Sequence, residues 1–472
     1  MSRLCAACLT IFVIVVLAGA EFFPTLHNPA LRFPAGVFAQ SVAASAFAQS
    51  ASAFAQSASA DRSAGQAPAA GSYTGPGSCA ASSCHGSVRP VAGSRILQTE
   101  YTTWVVQDKH ARATEVLNNP VSLRMAKILG IGRPDTEQKC LTCHALDAPA
   151  EQRARSYTAE GVSCEACHGP ASGWLGPHTT RGWTHAQSVA AGMYDTKDLA
   201  QRTGRCASCH IGNAEKSVDH EMIAAGHPDL VFDLEAFSAA MPRHWRSEDA
   251  WQNVRAWSVG QIVQLREGLE RLSRRSKGGV WPEYSELDCF SCHHSLTRPE
   301  DSWRQELGYR DRRPGNPPWN HARYAVARTI LRVNDPEGWK ALDSQLQNLA
   351  TEVSKLQADR ARIAAATAAL QGSLNATAQR LASAPVDRAR TIQYVRAIAE
   401  DAERISSGGE RSAEQAAMSL ETLVGTLSQN KDVDPASARA ALDRLFQQLE
   451  NPSGYDPRRF QALLQRITDL LR

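Results

Sequence analysis

The sequence predicts a mainly α-helical protein with little regular sheet: a domain organised around cysteine and histidine, then an α-helical bundle or coiled-coil hairpin. Three observations carry that prediction. Ten of the twelve cysteines form five pairs between residues 79 and 292, and a histidine follows each pair at once. Thirteen of the fourteen histidines lie between Tyr73 and Asn334. Beyond Asn334 cysteine and histidine disappear, and apolar residues recur at helical spacing in sequence rich in alanine, leucine, glutamine and arginine. The 472 residues suffice for two or three domains. A composition 43% hydrophobic and 21% charged is that of a soluble globular chain. The formal charge of only +3 argues against a nucleic-acid binder and against a polybasic membrane-surface protein. A mean hydropathy of −0.34, with one apolar run at the N-terminus, argues against a polytopic membrane protein.

Residues 1–20 read as a secretory signal peptide: Met-Ser-Arg, an apolar run from Leu4 to Ala20, and small residues at its end. The run is marginal for a membrane span of about 20 residues, so an uncleaved anchor is the alternative. Residues 21–72 are Ala/Ser-rich and repeat Phe-Ala-Gln-Ser at Phe38, Phe47 and Phe54. Such composition cannot bury a core and reads as a flexible tether.

Residues 73–334 hold the five motifs. Four have the spacing Cys-x-x-Cys-His: Cys140, Cys143 and His144; Cys164, Cys167 and His168; Cys206, Cys209 and His210; Cys289, Cys292 and His293. The first is wider, with Cys79, Cys84 and His85. Cys-x-x-Cys-His is the attachment pattern of haem c. Two thiols reach two vinyl groups on one edge of a porphyrin, and the next side chain swings beneath the iron as its proximal ligand. Structural zinc also uses Cys-x-x-Cys pairs but has no need of a histidine directly afterwards. With so few histidines, four such placements by chance have a probability on the order of one in a million. Five haems c are therefore expected, or four if the Cys79–Cys84 site is empty, a local disulfide and a single-thioether haem being the alternatives there. Attachment of this cofactor takes place outside the bacterial inner membrane, so motifs and leader agree on a periplasmic protein, membrane-anchored if the leader is retained.

Between the fourth and fifth motifs the spacing of Val254, Trp257, Ile262, Leu265, Leu269 and Leu272 predicts a helix from Glu248 to Ser276, capped by Ser247 and stopped by Gly278-Gly279. Residues 335–472 form the predicted bundle or coiled-coil hairpin. Asp335-Pro336 reads as an N-cap with proline at the first helical position. Leu342, Leu346, Leu349, Val353, Leu356, Ile363, Leu370, Leu374 and Leu381 then follow one heptad register, interrupted at Arg360, Thr367 and Thr377 and ended by Pro385. Gly408-Gly409, Asp434-Pro435 and Asp456-Pro457 mark off further helices. This region is expected either to dock or self-associate, or to pack back on its own motif-bearing domain.

Eight other histidines lie among the motifs: His110, His178, His185, His220, His227, His244, His294 and His321. Their clustering points to second axial ligands for several irons. Met125, Met193, Met222 and Met241 are the alternatives, and a methionine ligand would raise its haem's potential. The short interval between His144 and His168 suggests that their haems are neighbours.

The segments Asp108–Ala113, Gly161–Pro170 and Ala225–Pro228 resemble multihaem cytochromes c of the cytochrome c-554/c-prime type, over roughly Tyr73 to Ser238 with an extension through the fifth motif. The resemblance implies that His110 is the distal ligand that follows the first motif and that His178 is the histidine that follows Cys167-His168-Gly169-Pro170, with His185 its rival. His227, before a proline, and His321, opening a helix from Ala322 to Val333, are the further distal candidates. The resemblance also implies stacked haem pairs that pass electrons and, in some members, one five-coordinate haem, by position that of His144. A tetrahaem member lacks the fifth motif.

The expected function is electron relay between redox partner proteins by a periplasmic pentahaem cytochrome c. The alternative is a haem enzyme with one open iron acting on nitrite, hydroxylamine or nitric oxide. No Cys-x-x-Cys-Lys is present, and no catalytic residue is assigned. Acidic and basic residues near the motifs, Glu165 among them, read as haem-propionate partners or solvated surface. The partners expected are redox proteins and no nucleic acid, with a membrane tether through the leader and homo-oligomerisation through the C-terminal helices as further prospects.

Overall fold

Short capped helices make up the N-terminal half, because its sequence breaks itself up with glycine, proline and aspartate. The computed structural model describes residues 71–471 apart from 95, 147, 158–159, 214–215, 247–250, 294–316 and 452–453. The leader, the tether up to residue 70, the cap at Ser247 and His294 therefore lie outside the described residues. Eight helices come first: α1 (Glu100–Gln107), α2 (Pro120–Leu129), α3 (Gln138–His144), α4 (Cys164–His168), α5 (His185–Ala190), α6 (Leu199–His210), α7 (His220–Ala225) and α8 (Leu234–Ala240). Asn119, Asp198, Asp219 and Asp233 accept from backbone N–H groups at the starts of α2, α6, α7 and α8, satisfying donors that a helix leaves open. The extended pairings among the described residues are two isolated bridges, Tyr73 with Arg153 and Leu287 with Trp319.

Helix α9 (Gln252–Lys277) is the axis of the molecule. It is buried on nearly all sides between Val254 and Leu272, and α6 and α8 pack on it from the motif-bearing side. The later helices are α10 (Ala322–Ala325), α11 (Ala327–Asn334), α12 (Trp339–Val353), α13 (Arg360–Ser383), α14 (Arg388–Glu400), α15 (Ala402–Ser407), α16 (Glu410–Gln429), α17 (Pro435–Gln447) and α18 (Pro457–Arg466). Helix α13 runs antiparallel along α9. Arg360 Nε donates to Ser276 O at 2.8 Å, Arg266 to Asn375 Oδ1 at 2.7 Å, and Arg255 Nε to Ala384 O at 3.3 Å. Helices α10, α11 and α16 also contact α9. One apolar core thus runs from Leu199 to Ile467 across the change of composition at Asn334. Its buried amide donors are paired: Gln261 donates to Asp233, and Gln264 donates to Gln415, which itself donates to Phe232 O.

The C-terminal helices depart from expectation in three places. The single heptad-patterned helix is two helices, since Asp359 caps α13 by accepting from Ala361 N and Arg362 N and leaves Leu356 76% exposed in the turn. Helix α12 starts at Trp339 rather than at Pro336, and Asp335 instead accepts from Gly338 N. The helix after His321 is interrupted at Val326. Within α13 the register holds through two of its apparent interruptions, as Thr367 and Thr377 are buried with their hydroxyls bonded back to Ile363 O and Ser373 O. The starts at Glu410, Pro435 and Pro457 fall where glycine and Asp-Pro signals predict them. Among the described residues no helix is long and apolar enough to cross a membrane.

Candidate haem centres

In a helix, positions i, i+3 and i+4 share one face. Helices α3, α4 and α6 each end on their motif histidine, so each turns both thiols and the imidazole to one side. The fifth motif forms a 3₁₀ turn, Cys289–Ser291, capped by Asp288. The wider first motif cannot use one helical face. Its chain makes a 3₁₀ turn over Pro76–Cys79 and then folds back, with Cys84 N on Ala81 O at 2.8 Å and Gly86 N on the same oxygen at 3.0 Å. Only glycine fits at position 86, where an added Cβ would lie 1.9 Å from Ala80 O. Cys79 and Cys84 are not joined in a disulfide.

Four motif histidines each face a second histidine. Ring centres are 6.2 Å apart for His85 and His178, 6.0 Å for His210 and His110, 6.5 Å for His144 and His227, and 6.1 Å for His293 and His220. A metal bonded to two imidazole nitrogens at about 2 Å each would hold the ring centres about 6 Å apart. The remaining motif histidine, His168 of the third motif, is buried with His244 and His85 in electrostatic reach; burial, aided by both, pushes it down to about 4. His210 is also held at about 4 by burial, with Phe232 and Phe237 against its ring. Both rings are neutral at physiological pH, the state that binds a metal.

Hydrogen bonds at Nδ1 orient these rings and leave Nε2 for a metal. His85 donates to Glu100 Oε2 at 3.0 Å, His110 to Asp108 Oδ1 at 2.9 Å, and His144 to Ala113 O at 2.9 Å. His178 donates to Leu175 O at 2.6 Å and His227 to Pro228 O at 2.8 Å. The hydrogen bonds to Glu100 and Asp108 raise His85 and His110 above the usual histidine range. His185, the rival of His178, is used differently: its Nε2 is bonded to Asp195 at 2.8 Å. His321 packs edge-on against Trp319 at 5.5 Å rather than facing a motif histidine, and His220 stands beside His293. His227 faces the histidine whose iron the resemblance would leave open. His220 and His244 were not singled out from sequence; the Asp219 cap that exposes His220 at a helix start was the one available signal.

The motifs adjoin out of sequence order. Cys79 and Cys164 perturb one another, as do Cys143 and Cys209, which raises Cys164 and Cys143 and lowers their partners, and the turn that sets His110 against His210 of the fourth motif receives His144 of the second on Ala113 O. The first motif thus meets the third, and the second meets the fourth. Glu165 ties the first and third motifs together. Its buried carboxylate accepts from Thr74 N, Gly75 N at 2.7 Å and Ala171 N at 2.7 Å. It is a clamp between backbone segments rather than a solvated or propionate-facing group. The segments Asp108–Ala113 and Gly161–Pro170 also meet, through Val162 N on His110 O at 2.9 Å. Gly161, at φ 35°, allows that approach, because an added Cβ would lie 2.5 Å from His110 O.

The residues present fit haem c. Besides thiols and facing imidazoles, Ser163 Oγ, Arg205 Nε and Trp174 Nε1 are buried without a hydrogen-bond partner. Ser163 and Arg205 each precede a motif cysteine, and Trp174 packs on His178 at 5.6 Å. Orphaned donors in such places suit the carboxylates of a porphyrin. Residues 78–169 match the family described as "Cytochrome c554 and c-prime", a likeness to c-type cytochromes, whose cofactor is haem c. No curated protein and no solved structure matches the chain.

Proposed function

We propose that the chain is a multihaem c-type cytochrome that carries five haems and relays electrons between redox partner proteins in the periplasm. One recurring distance carries this reading: motif histidines face second histidines with ring centres 6.0 to 6.5 Å apart, in four pairs whose members are far apart in sequence. Haem c, when bound, supplies a reversible one-electron couple at iron. The chain's own contribution is to hold both imidazoles and fix each ring through its Nδ1 partner. It also places the motifs so that neighbouring centres touch, since electron tunnelling falls steeply with distance. We assign the pairs His85 with His178, His210 with His110, His144 with His227, and His168 with His244. The enzyme reading needs an open iron, and His227 stands where the resemblance would put that opening. Anchoring through residues 1–20 and self-association through residues 335–472 are separate parts of the proposal. Sedimentation of the mature protein tests the second.

Electron paramagnetic resonance of the oxidised, haem-loaded protein tests the relay reading. The expected spectrum is entirely low-spin and unchanged by nitric oxide. A high-spin signal that responds to nitric oxide would replace the relay with a haem enzyme acting on a small nitrogen compound. In His178→Ala, one haem in five is expected to turn high-spin while intact mass still counts five. A wild-type mass with four would leave the Cys79–Cys84 site empty.

A further inference from the structure

We infer that His220 is the second axial ligand of the haem carried by Cys289, Cys292 and His293, and that helix α7 joins this fifth centre to the second. The inference rests on the c-type cytochrome reading and concerns a part of the chain outside the family match.

The rings of His220 and His293 are 6.1 Å apart at an interplanar angle of 30°, the separation found in the other three facing pairs. His220 is held from both sides. Its backbone N–H donates to Glu283 Oε1 at 2.9 Å, and the same oxygen accepts from Ser285 N at 3.1 Å, so α7 is fastened to the loop that leads into the fifth motif. Tyr284 from that loop packs on the His220 ring at 5.5 Å. On the other side Asp219, the cap of α7, accepts from Lys139 Nζ at 2.9 Å, and Lys139 directly precedes Cys140 of the second motif.

The far end of α7 completes the argument. The helix closes on Gly226, at φ 119°, and the next residue is His227, which faces His144 of the second motif. One short helix therefore bears at its two ends the distal histidines of the second and fifth centres. At helical rise, seven residues place their backbones roughly 10 Å apart. Glu165 of the third motif clamps the backbone that leads into the first, Val162 beside the third motif donates to His110 O, and the turn that sets His110 against His210 of the fourth motif also receives His144 of the second on Ala113 O. The order of centres is then first, third, fourth, second, fifth. The fifth ends the line beside the C-terminal helices, where Asp229 pairs with Arg411 of α16 and the cap Asp288 approaches Gly409.

The test uses full-length, haem-loaded protein. His220→Ala is expected to keep five haems by intact mass and to turn one of them high-spin. His220→Met is expected to keep that haem low-spin and raise one midpoint potential in a redox titration, because thioether ligation favours the ferrous state. His321→Ala is expected to leave spectrum and potentials unchanged. An unaltered spectrum in His220→Ala, or a new high-spin haem in His321→Ala, overturns the assignment. A wild-type mass of four haems with Cys289 open to alkylation overturns the fifth centre and leaves the relay reading of the others intact. A protein that takes up no haem overturns that reading itself.

Discussion

Replacing Glu165 with alanine should lower the stability of the folded protein by about 4 kcal/mol. The side chain is 2% exposed and lies inside the third motif, yet its oxygens accept from the backbone of residues 74, 75 and 171 and not from anything nearer in sequence. Truncation leaves three buried N–H groups without an acceptor, each costing about 1–3 kcal/mol and not fully additive. Glu165→Gln keeps one acceptor oxygen and should lose about half as much. Denaturant unfolding of the haem-loaded variants measures both. Haem occupancy at Cys79 and Cys84 should fall with stability, because Thr74 and Gly75 lead straight into that motif. A loss below 1 kcal/mol in the alanine variant would remove the clamp from the argument.

The second large effect is a dependence on acid. Glu286 is buried against two arginines, Arg271 through paired contacts of 2.7 and 2.8 Å and Arg275 at 2.6 Å. Burial alone would push this carboxyl up, but the charge and hydrogen bonds of Arg271, joined by Arg275, bring it down to about 2. An unfolded glutamate titrates at about 4.3. The folded value lies below the unfolded one, so the ionised form stabilises the fold. That stabilisation is complete above about pH 4.3 and is lost as pH falls toward 2, about 3 kcal/mol in all. Glu286→Gln should remove this part of the acid dependence and cost about 3–5 kcal/mol at neutral pH, where two buried arginines would lose their counter-ion. Urea melts of wild type and variant at pH 7, 4 and 2.5 give the difference. Parallel pH profiles would show that Glu286 does not carry it.

The chemistry-bearing residues were legible because haem attachment is local. Two thiols and a histidine within five residues leave a pattern that no fold is needed to read. Helix starts at Asp434 and Asp456 were legible for the same reason. Axial pairing was not, because each facing histidine is distant: 93 residues separate His85 from His178, 100 separate His110 from His210, and 73 separate His220 from His293. Sequence offered His321 as a distal candidate and did not single out His220, whose ring the fold sets 6.1 Å from that of His293. It also gave no sign that Glu165 of the third motif clamps the backbone leading into the first. The heptad run across Leu356 misled because the repeat is continuous on paper, while one aspartate at position 359 offers two backbone donors a better acceptor than another turn would. Glu165 was unreadable for a related reason: a carboxylate that clamps distant backbone looks in sequence like any charged residue beside a haem motif.

The antiparallel seam between α9 and α13 ties residues 84 to 129 positions apart along the whole length of both helices. Contacts of that span carry a high contact order, and their loops must close before they stabilise anything. The seam lies inside one apolar cluster that runs from Leu199 to Ile467. The motif-bearing part and the C-terminal helices should therefore melt in one cooperative transition. A chain cut after Asn334 would keep every haem motif and still leave the flank of α9 bare, a surface on which such a fragment would aggregate.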